Sequence, residues 1–214
     1  MNADIAKEDL RRRLRSERLV AIIRTTDAAT ATGRATDLLA AGASLVEISL
    51  STPQATNAIS EIASSSSSST TPSALIGVGT VLTVEQLHLA TDAGAQFTVT
   101  PTTNVDVLRA AHQCGMPIIA GAATPTEIDL AISHGAAAVK LFPASLWTLQ
   151  AFTDLRQVFP DVAFVPTGGI DADRAKKWID AGAAAVGLGS ALTSPDRDIS
   201  ETIDALRSHR SNRG

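Results

Sequence analysis

Short apolar runs rich in Val, Ile and Ala recur along the chain. Each is followed by a polar or glycine-containing junction and then an alanine-rich stretch of helical period. The runs are Leu19–Ile23, Leu45–Leu50, Leu75–Gly79, Phe97–Thr100, Pro117–Ala120, Ala137–Phe142, Val162–Val165 and Ala184–Leu188. Their ends fall about 20–29 residues apart, room for one strand and one helix per step. They are nearly continuously apolar rather than alternating, as parallel strands covered by helices are. Eight such units in 214 residues predict an α/β fold, a (β/α)8 TIM barrel forming one domain over residues 1–214. The competing arrangement is a doubly wound open sheet, which would more naturally carry a dinucleotide fingerprint. The nearest candidates, Gly77 with Gly79 and Gly187 with Gly189, both lack the third glycine.

The helix ends are legible. Gly42, Gly94, Gly115, Gly135 and Gly182 each stand where an alanine-rich stretch stops, because glycine enters the left-handed conformation without a steric penalty. Thr124, Pro125 and Glu127 mark a helix start: a capping hydroxyl, a proline at the first turn and an acid at the positive end. Asp27, Thr83, Asn104 and Asp171 are caps elsewhere. Two segments stand outside the repeat. Ile5–Arg18 predicts an extra N-terminal helix within residues 1–18. Its arginines 11, 12, 13, 15 and 18 suit a solvated face paired with Glu8, Asp9 and Glu17 better than an anionic partner. Ser64–Ser69, with Thr70, Thr71 and Pro72, reads as a flexible surface loop over residues 64–73.

The net charge of −4 gives no reason to expect nucleic acid. No apolar run is long enough to span a membrane, and Met1–Arg18 lacks the apolar core of a signal peptide. The single cysteine, Cys114, forms no intrachain disulfide and suits a reducing compartment. The chain is therefore read as cytoplasmic.

Functional residues of a parallel barrel sit at the C-terminal ends of its strands. In the sixth run, alternation places Ala138, Lys140 and Phe142 on one face and Val139 and Leu141 on the other. A lysine within an apolar strand is costly unless paired or neutralised. Lys140 is then a carboxylate partner, a rim residue, or an amine that desolvation keeps neutral enough to attack a carbonyl and form a Schiff base. In the second run Glu47 and Ser49 share a face, so Glu47 either only neutralises Lys140 or also moves protons at an imine. The seventh and eighth runs end in Thr167-Gly168-Gly169 and Gly189-Ser190, junctions whose backbone N–H groups suit a phosphate, or else two tight turns without a ligand. The four histidines, His88, His112, His134 and His209, fall in helices or the tail. That leaves no metal-ligand cluster at the strand ends.

Taken in order, these motifs resemble the 2-keto-3-deoxy-6-phosphogluconate (KDPG) / 4-hydroxy-2-oxoglutarate (KHG) aldolase family. The likeness runs from about Val20 to Leu192. It is carried by VAIIR at 20–24, VEISL at 46–50, IGVGTV at 76–81, FTVTP at 97–101, GAATPTE at 121–127, VKLFPA at 139–144, PTGGI at 166–170 and GLGS at 187–190. The resemblance implies a metal-independent class I aldolase of carbohydrate metabolism, Entner–Doudoroff in type. It implies a homotrimer with no cofactor and no metal, acting on a small-molecule 2-ketoacid or phosphosugar acid. It implies Lys140 as the Schiff-base lysine and Glu47 as general acid/base. Thr80, Pro101, Phe142 and Thr167 would line the ketoacid end, and Gly168, Gly169, Gly189 and Ser190 would hold the phosphate. Many members carry an arginine where this chain has Ser51, a proline at Ala120, and a glycine-containing loop at Ser145-Leu146-Trp147. With Ser51 in place of that arginine, Arg24 is the candidate clamp for the substrate carboxylate, its planar fork suiting two oxygens. The expected products are pyruvate and glyceraldehyde 3-phosphate, from a gluconate- or galactonate-type substrate. A different phosphosugar barrel, an epimerase or isomerase, and a non-catalytic sugar-phosphate-binding barrel are the alternatives.

Overall fold

The computed structural model describes residues 3–66, 74–192 and 198–209. In chain order the elements are α1 (Ala3–Glu17), β1 (Leu19–Ile23), α2 (Ala28–Ala40), β2 (Leu45–Ser49), α3 (Ala55–Ser66), β3 (Leu75–Gly79), α4 (Val84–Asp92), β4 (Phe97–Val99), α5 (Val105–Gln113), β5 (Ile118–Ala122), α6 (Pro125–Ser133), β6 (Ala138–Leu141), α7 (Leu149–Val158), α8 (Ala172–Asp180), β7 (Val186–Leu188) and α9 (Ile199–Arg207).

The punctuation read from the sequence is where these helices begin and end. Asp27, Thr83, Asn104, Thr124 and Asp171 each accept a hydrogen bond from a first-turn backbone N–H. Thr83 with Gln86 and Thr124 with Glu127 complete reciprocal capping boxes. At the other ends Gly42, Gly94, Gly115, Gly135 and Gly182 all have positive φ. The serine-rich stretch differs from expectation at its start, because α3 continues through Ser66. The Ser64 hydroxyl donates to the Ser60 carbonyl at 2.8 Å and that of Ser65 to the Ile62 carbonyl at 2.9 Å. The hydroxyls satisfy helical carbonyls instead of breaking the helix. The rest of the expected loop, 67–73, lies outside the described residues.

The strands form one parallel sheet in the order β6-β5-β4-β3-β2-β1-β7. The order has no reversal point, which removes the doubly wound alternative. The seventh apolar run is not a regular strand. It bridges β6 and β7 at Phe164 and Thr167 only. On the β6 side, Val165 N–H donates to Val139 O at 2.8 Å and Thr167 N–H to Leu141 O at 3.1 Å. On the β7 side, Ala184 and Gly187 N–H groups donate to Phe164 and Pro166 carbonyls, each at 2.9 Å. Pro166 has no N–H to return, so the ladder to β7 is interrupted there.

Buried apolar residues fall into two layers. Val46, Ile48, Ile76, Val78, Val139 and Leu141 face outward against the helices. Val20, Leu45, Phe97, Val99, Ile119, Ala138 and Val165 form the inner core. Leu10 and Leu14 of α1 belong to that inner core and are fully buried. The arginine-rich face of α1 does more than meet solvent. Arg13 pairs with Asp9, but Arg11 Nε donates to the Ala137 carbonyl at 2.7 Å, and Glu17 pairs with Arg207 of α9.

Candidate active site

Strand alternation puts Glu47 of β2 and Lys140 of β6 on the inner face, and both are almost fully buried. They line one internal pocket with Val20, Ile22, Val99, Ile119, Val165 and Thr167. Burial pushes the Glu47 carboxyl above its ordinary value, while the charges of Lys140 and Arg24 pull the other way. Neither the Glu47 nor the Lys140 side chain has a hydrogen bond or close ion pair among the described residues. The Lys140 Nζ stands 5.2 Å from the centroid of the Phe142 ring. Lys140 is thus neither at the rim nor locked in a carboxylate salt bridge. A buried amine sharing a pocket with a carboxyl whose proton affinity is raised by burial has the parts for imine chemistry.

The remaining expected residues lie at or just beyond the C-terminal ends of the strands. Of these, Thr167 shares the internal pocket of the pair, whereas Arg24 lines a separate surface pocket with Thr25, Thr26, Thr30 and Arg34. Phe142 lies between Lys140 and the glycine junction: a Cβ on Gly168 would sit 3.2 Å from its ring. Gly168 and Gly169 have positive φ, at 93° and 72°. Their N–H groups donate to no protein group among the described residues, as an anion-receiving turn requires. The Gly168 carbonyl accepts from Ser145 N–H at 3.1 Å, tying the loop after β6 to this turn. Gly189 and Ser190 follow β7 directly. Thr167 is buried, and its hydroxyl donates to the Val165 carbonyl at 3.1 Å. Pro101 packs its backbone against Gly121, the register partner of Lys140. Arg24 is exposed just beyond β1 and has no ion pair among the described residues. Asp27, its nearest candidate partner by sequence, is engaged with Thr26 and Thr30.

Two features escaped the sequence reading. The Ser49 hydroxyl lies 2.8 Å from those of both Ser51 and Thr80, making a row of three across the ends of β2 and β3. Thr80 adopts φ 63°, rare for a β-branched residue. Ser49 was legible as a neighbour of Glu47 on the inner face, but its partners come from other segments. The second feature is glycine. A Cβ on Gly77 would strike the Phe97 ring, one on Gly121 the Pro101 backbone, and one on Gly187 the Thr167 side chain. These glycines clear the interior for their neighbours, which an isolated strand glycine can signal. Gly77 and Gly187, one glycine of each weak dinucleotide-like pair, are accounted for in this way. Among the described residues no group of three His, Cys, Asp or Glu side chains is placed to hold a metal ion.

A parallel α/β sheet with a lysine buried in one strand and a carboxylate facing it across the interior has the form of a lysine-dependent lyase. The comparisons agree. Residues 10–207 match the KDPG and KHG aldolase family. The chain is 37% identical to the 2-dehydro-3-deoxy-6-phosphogalactonate aldolase of Escherichia coli K12 over 86% of its own length and 88% of the relative's. A native KDPGal structure superposes with a TM-score of 0.74 at 36% identity, covering 88% of this chain and 90% of that one. The KDPG aldolase of Legionella pneumophila, with pyruvate captured at low pH as a covalent carbinolamine intermediate, superposes with a TM-score of 0.76. It is 28% identical, over 91% of this chain and 94% of that one. The chain belongs to the KDPG and KHG aldolase family and is a class I aldolase.

Proposed function

We propose that this chain cleaves a 2-keto-3-deoxy-6-phospho sugar acid, of galactonate or gluconate type, to pyruvate and glyceraldehyde 3-phosphate. The observation that carries the reading is the burial of Lys140 and Glu47 in one internal pocket with Thr167. Lys140 attacks the C2 carbonyl through its Nζ, and loss of water leaves a protonated imine. Glu47, directly or through water, takes the proton of the C4 hydroxyl. The C3–C4 bond breaks, its electron pair passes into the enamine, and the aldehyde leaves. Glu47 returns the proton to C3, and hydrolysis frees pyruvate and Lys140. A carboxyl whose proton affinity is raised by burial is suited to carrying the proton both ways. Arg24 holds the substrate carboxylate. Thr80, Pro101, Phe142 and Thr167 line the ketoacid end, and Gly168, Gly169, Gly189 and Ser190 receive the phosphate.

The same reading takes residues 1–214 as one (β/α)8 barrel with α1 at its N-terminal end. The hydrogen bonds that join β6 to β7 through residues 163–167 support it. A homotrimer follows from the family resemblance, and the unpaired Cys114 suits a cytoplasmic location.

The test is borohydride reduction in the presence of pyruvate, with substrates of both stereochemistries assayed alongside. One pyruvyl unit is expected on Lys140. Lys140→Ala should abolish both trapping and cleavage. Trapping at the exposed Lys176 or Lys177 of α8, or no trapping at all, would overturn the assignment of Lys140.

A further inference from the structure

On β3, Gly77 stands in register with Glu47 and Gly79 with Ser49. Gly79 is therefore nearer the C-terminal end of the sheet than the Glu47 α-carbon. Yet a Cβ built on Gly79 would overlap Glu47 Oε1 and stand only 2.5 Å from Cδ and 2.7 Å from Cγ. The Glu47 side chain thus leans along the strands and lays its carboxylate across the bare α-carbon of Gly79. No hydrogen bond holds it there among the described residues. Its place is defined by shape, together with attraction to Lys140 and Arg24. Gly79 itself is not in the left-handed region, so the backbone does not demand glycine. The demand comes from the neighbouring carboxylate.

We propose that Gly79 is a positioning residue for the aldol chemistry: its missing side chain is the seat that aims the Glu47 carboxylate into the space it shares with Lys140. The inference rests on Glu47 as the proton carrier. Its consequence is that a single methyl group on β3 uncouples the two halves of the reaction. Imine formation needs Lys140 and survives, whereas proton transfer needs Glu47 in place and does not.

The full chain is compared as parent, Gly79→Ala, Glu47→Gln, Glu47→Ala and the double variant Gly79→Ala/Glu47→Ala. Three quantities are read: borohydride trapping of pyruvate, proton exchange at the pyruvate methyl, and Tm. Gly79→Ala should keep trapping while exchange falls roughly a hundredfold, the usual result of displacing a catalytic group by about 1 Å. It should lower Tm in the parent but not in the Glu47→Ala background, where no carboxylate occupies the seat. Should Gly79→Ala fail to fold, the double variant carries the test, since removing the Glu47 side chain should restore folding. Exchange at the parental rate in Gly79→Ala overturns the inference. So does an equal loss of Tm in both backgrounds, or a double variant that stays unfolded. Parental exchange in Glu47→Gln instead overturns the reading of Glu47 itself, and the two failures are distinguishable.

Discussion

Glu47 is buried without a hydrogen-bond donor among the described residues, and desolvation raises its pKa above the ordinary 4.5. The native state therefore keeps a proton over a pH range where the unfolded chain has lost it. Stability falls as pH rises from the ordinary carboxylate value through the raised one, and the cost is complete above it. Glu47→Gln removes that cost. The variant should be more stable than the parent at neutral pH, by a margin that shrinks as pH falls toward 4.5. Thermal melts across that range check this, and a variant less stable at neutral pH would contradict it. Pyruvate exchange in the parent should also rise with pH through the raised Glu47 value, and Glu47→Gln should lose that limb along with roughly 10²–10⁴ of the rate. Arg24 is a second residue whose surroundings make a clear prediction. It is exposed and makes no ion pair among the described residues, so its fork is available to a ligand. Arg24→Lys should raise KM for pyruvate and for the full substrate alike, by roughly ten- to a hundredfold, the effect of losing a charge-assisted pair. Unchanged pyruvate affinity would send the search for the carboxylate partner to the backbone around Gly79, Thr80 and Pro101.

At the scale of elements, α1 is more than a charged extension. Leu10 and Leu14 enter the inner core beside Val20, Leu45 and Phe97, and Arg11 ties the helix to the carbonyl just before β6. Leu14→Ala should therefore destabilise by about 2–5 kcal/mol, as a buried leucine does, rather than by the small amount expected of a solvated helix. Thr124→Ala breaks the capping box of α6 and should cost about 1 kcal/mol. Leu14 packs with Leu45 and Ala137 at the N-terminal ends of the strands and Thr124 follows the C-terminal end of β5, so their effects on denaturant midpoints should add. Caps and stops were readable from the chain because they depend on a residue's own backbone preference and on partners three or four positions away. The destination of α1 was not readable, because its apolar stripe, Ala6, Leu10 and Leu14, specifies a buried face but not what covers it.

At the scale of the whole molecule, residues 125–190 bring the glycine turns after the seventh and eighth apolar runs to the same end of the sheet as Lys140. A Cβ on Gly189 would lie 3.5 Å from the Ile22 carbonyl oxygen, an ordinary contact, so the backbone position itself tolerates a side chain. Gly189→Val should then raise KM for the phosphorylated substrate far more than it slows pyruvate exchange, and orthophosphate should compete with that substrate in the parent. Equal damage to both activities would make the junction merely structural.

The alternation of parallel strands with helices, the face on which Lys140 and Glu47 stand, and the caps and glycine stops of several helices were determined by the sequence alone. Periodicity, turn chemistry and alternation are local properties of the chain. The bridging character of the segment at 163–167 depends on Pro166 meeting two neighbours at once, and only the assembled sheet shows that. The hydroxyl row of Ser49, Ser51 and Thr80 joins two strands, so no spacing along the chain announces it. The same holds for Gly79. Its role lies in what its side chain would strike, and the carboxylate in question begins 32 residues earlier in the chain. Tertiary structure decided these features because each depends on the close approach of groups that the sequence places far apart.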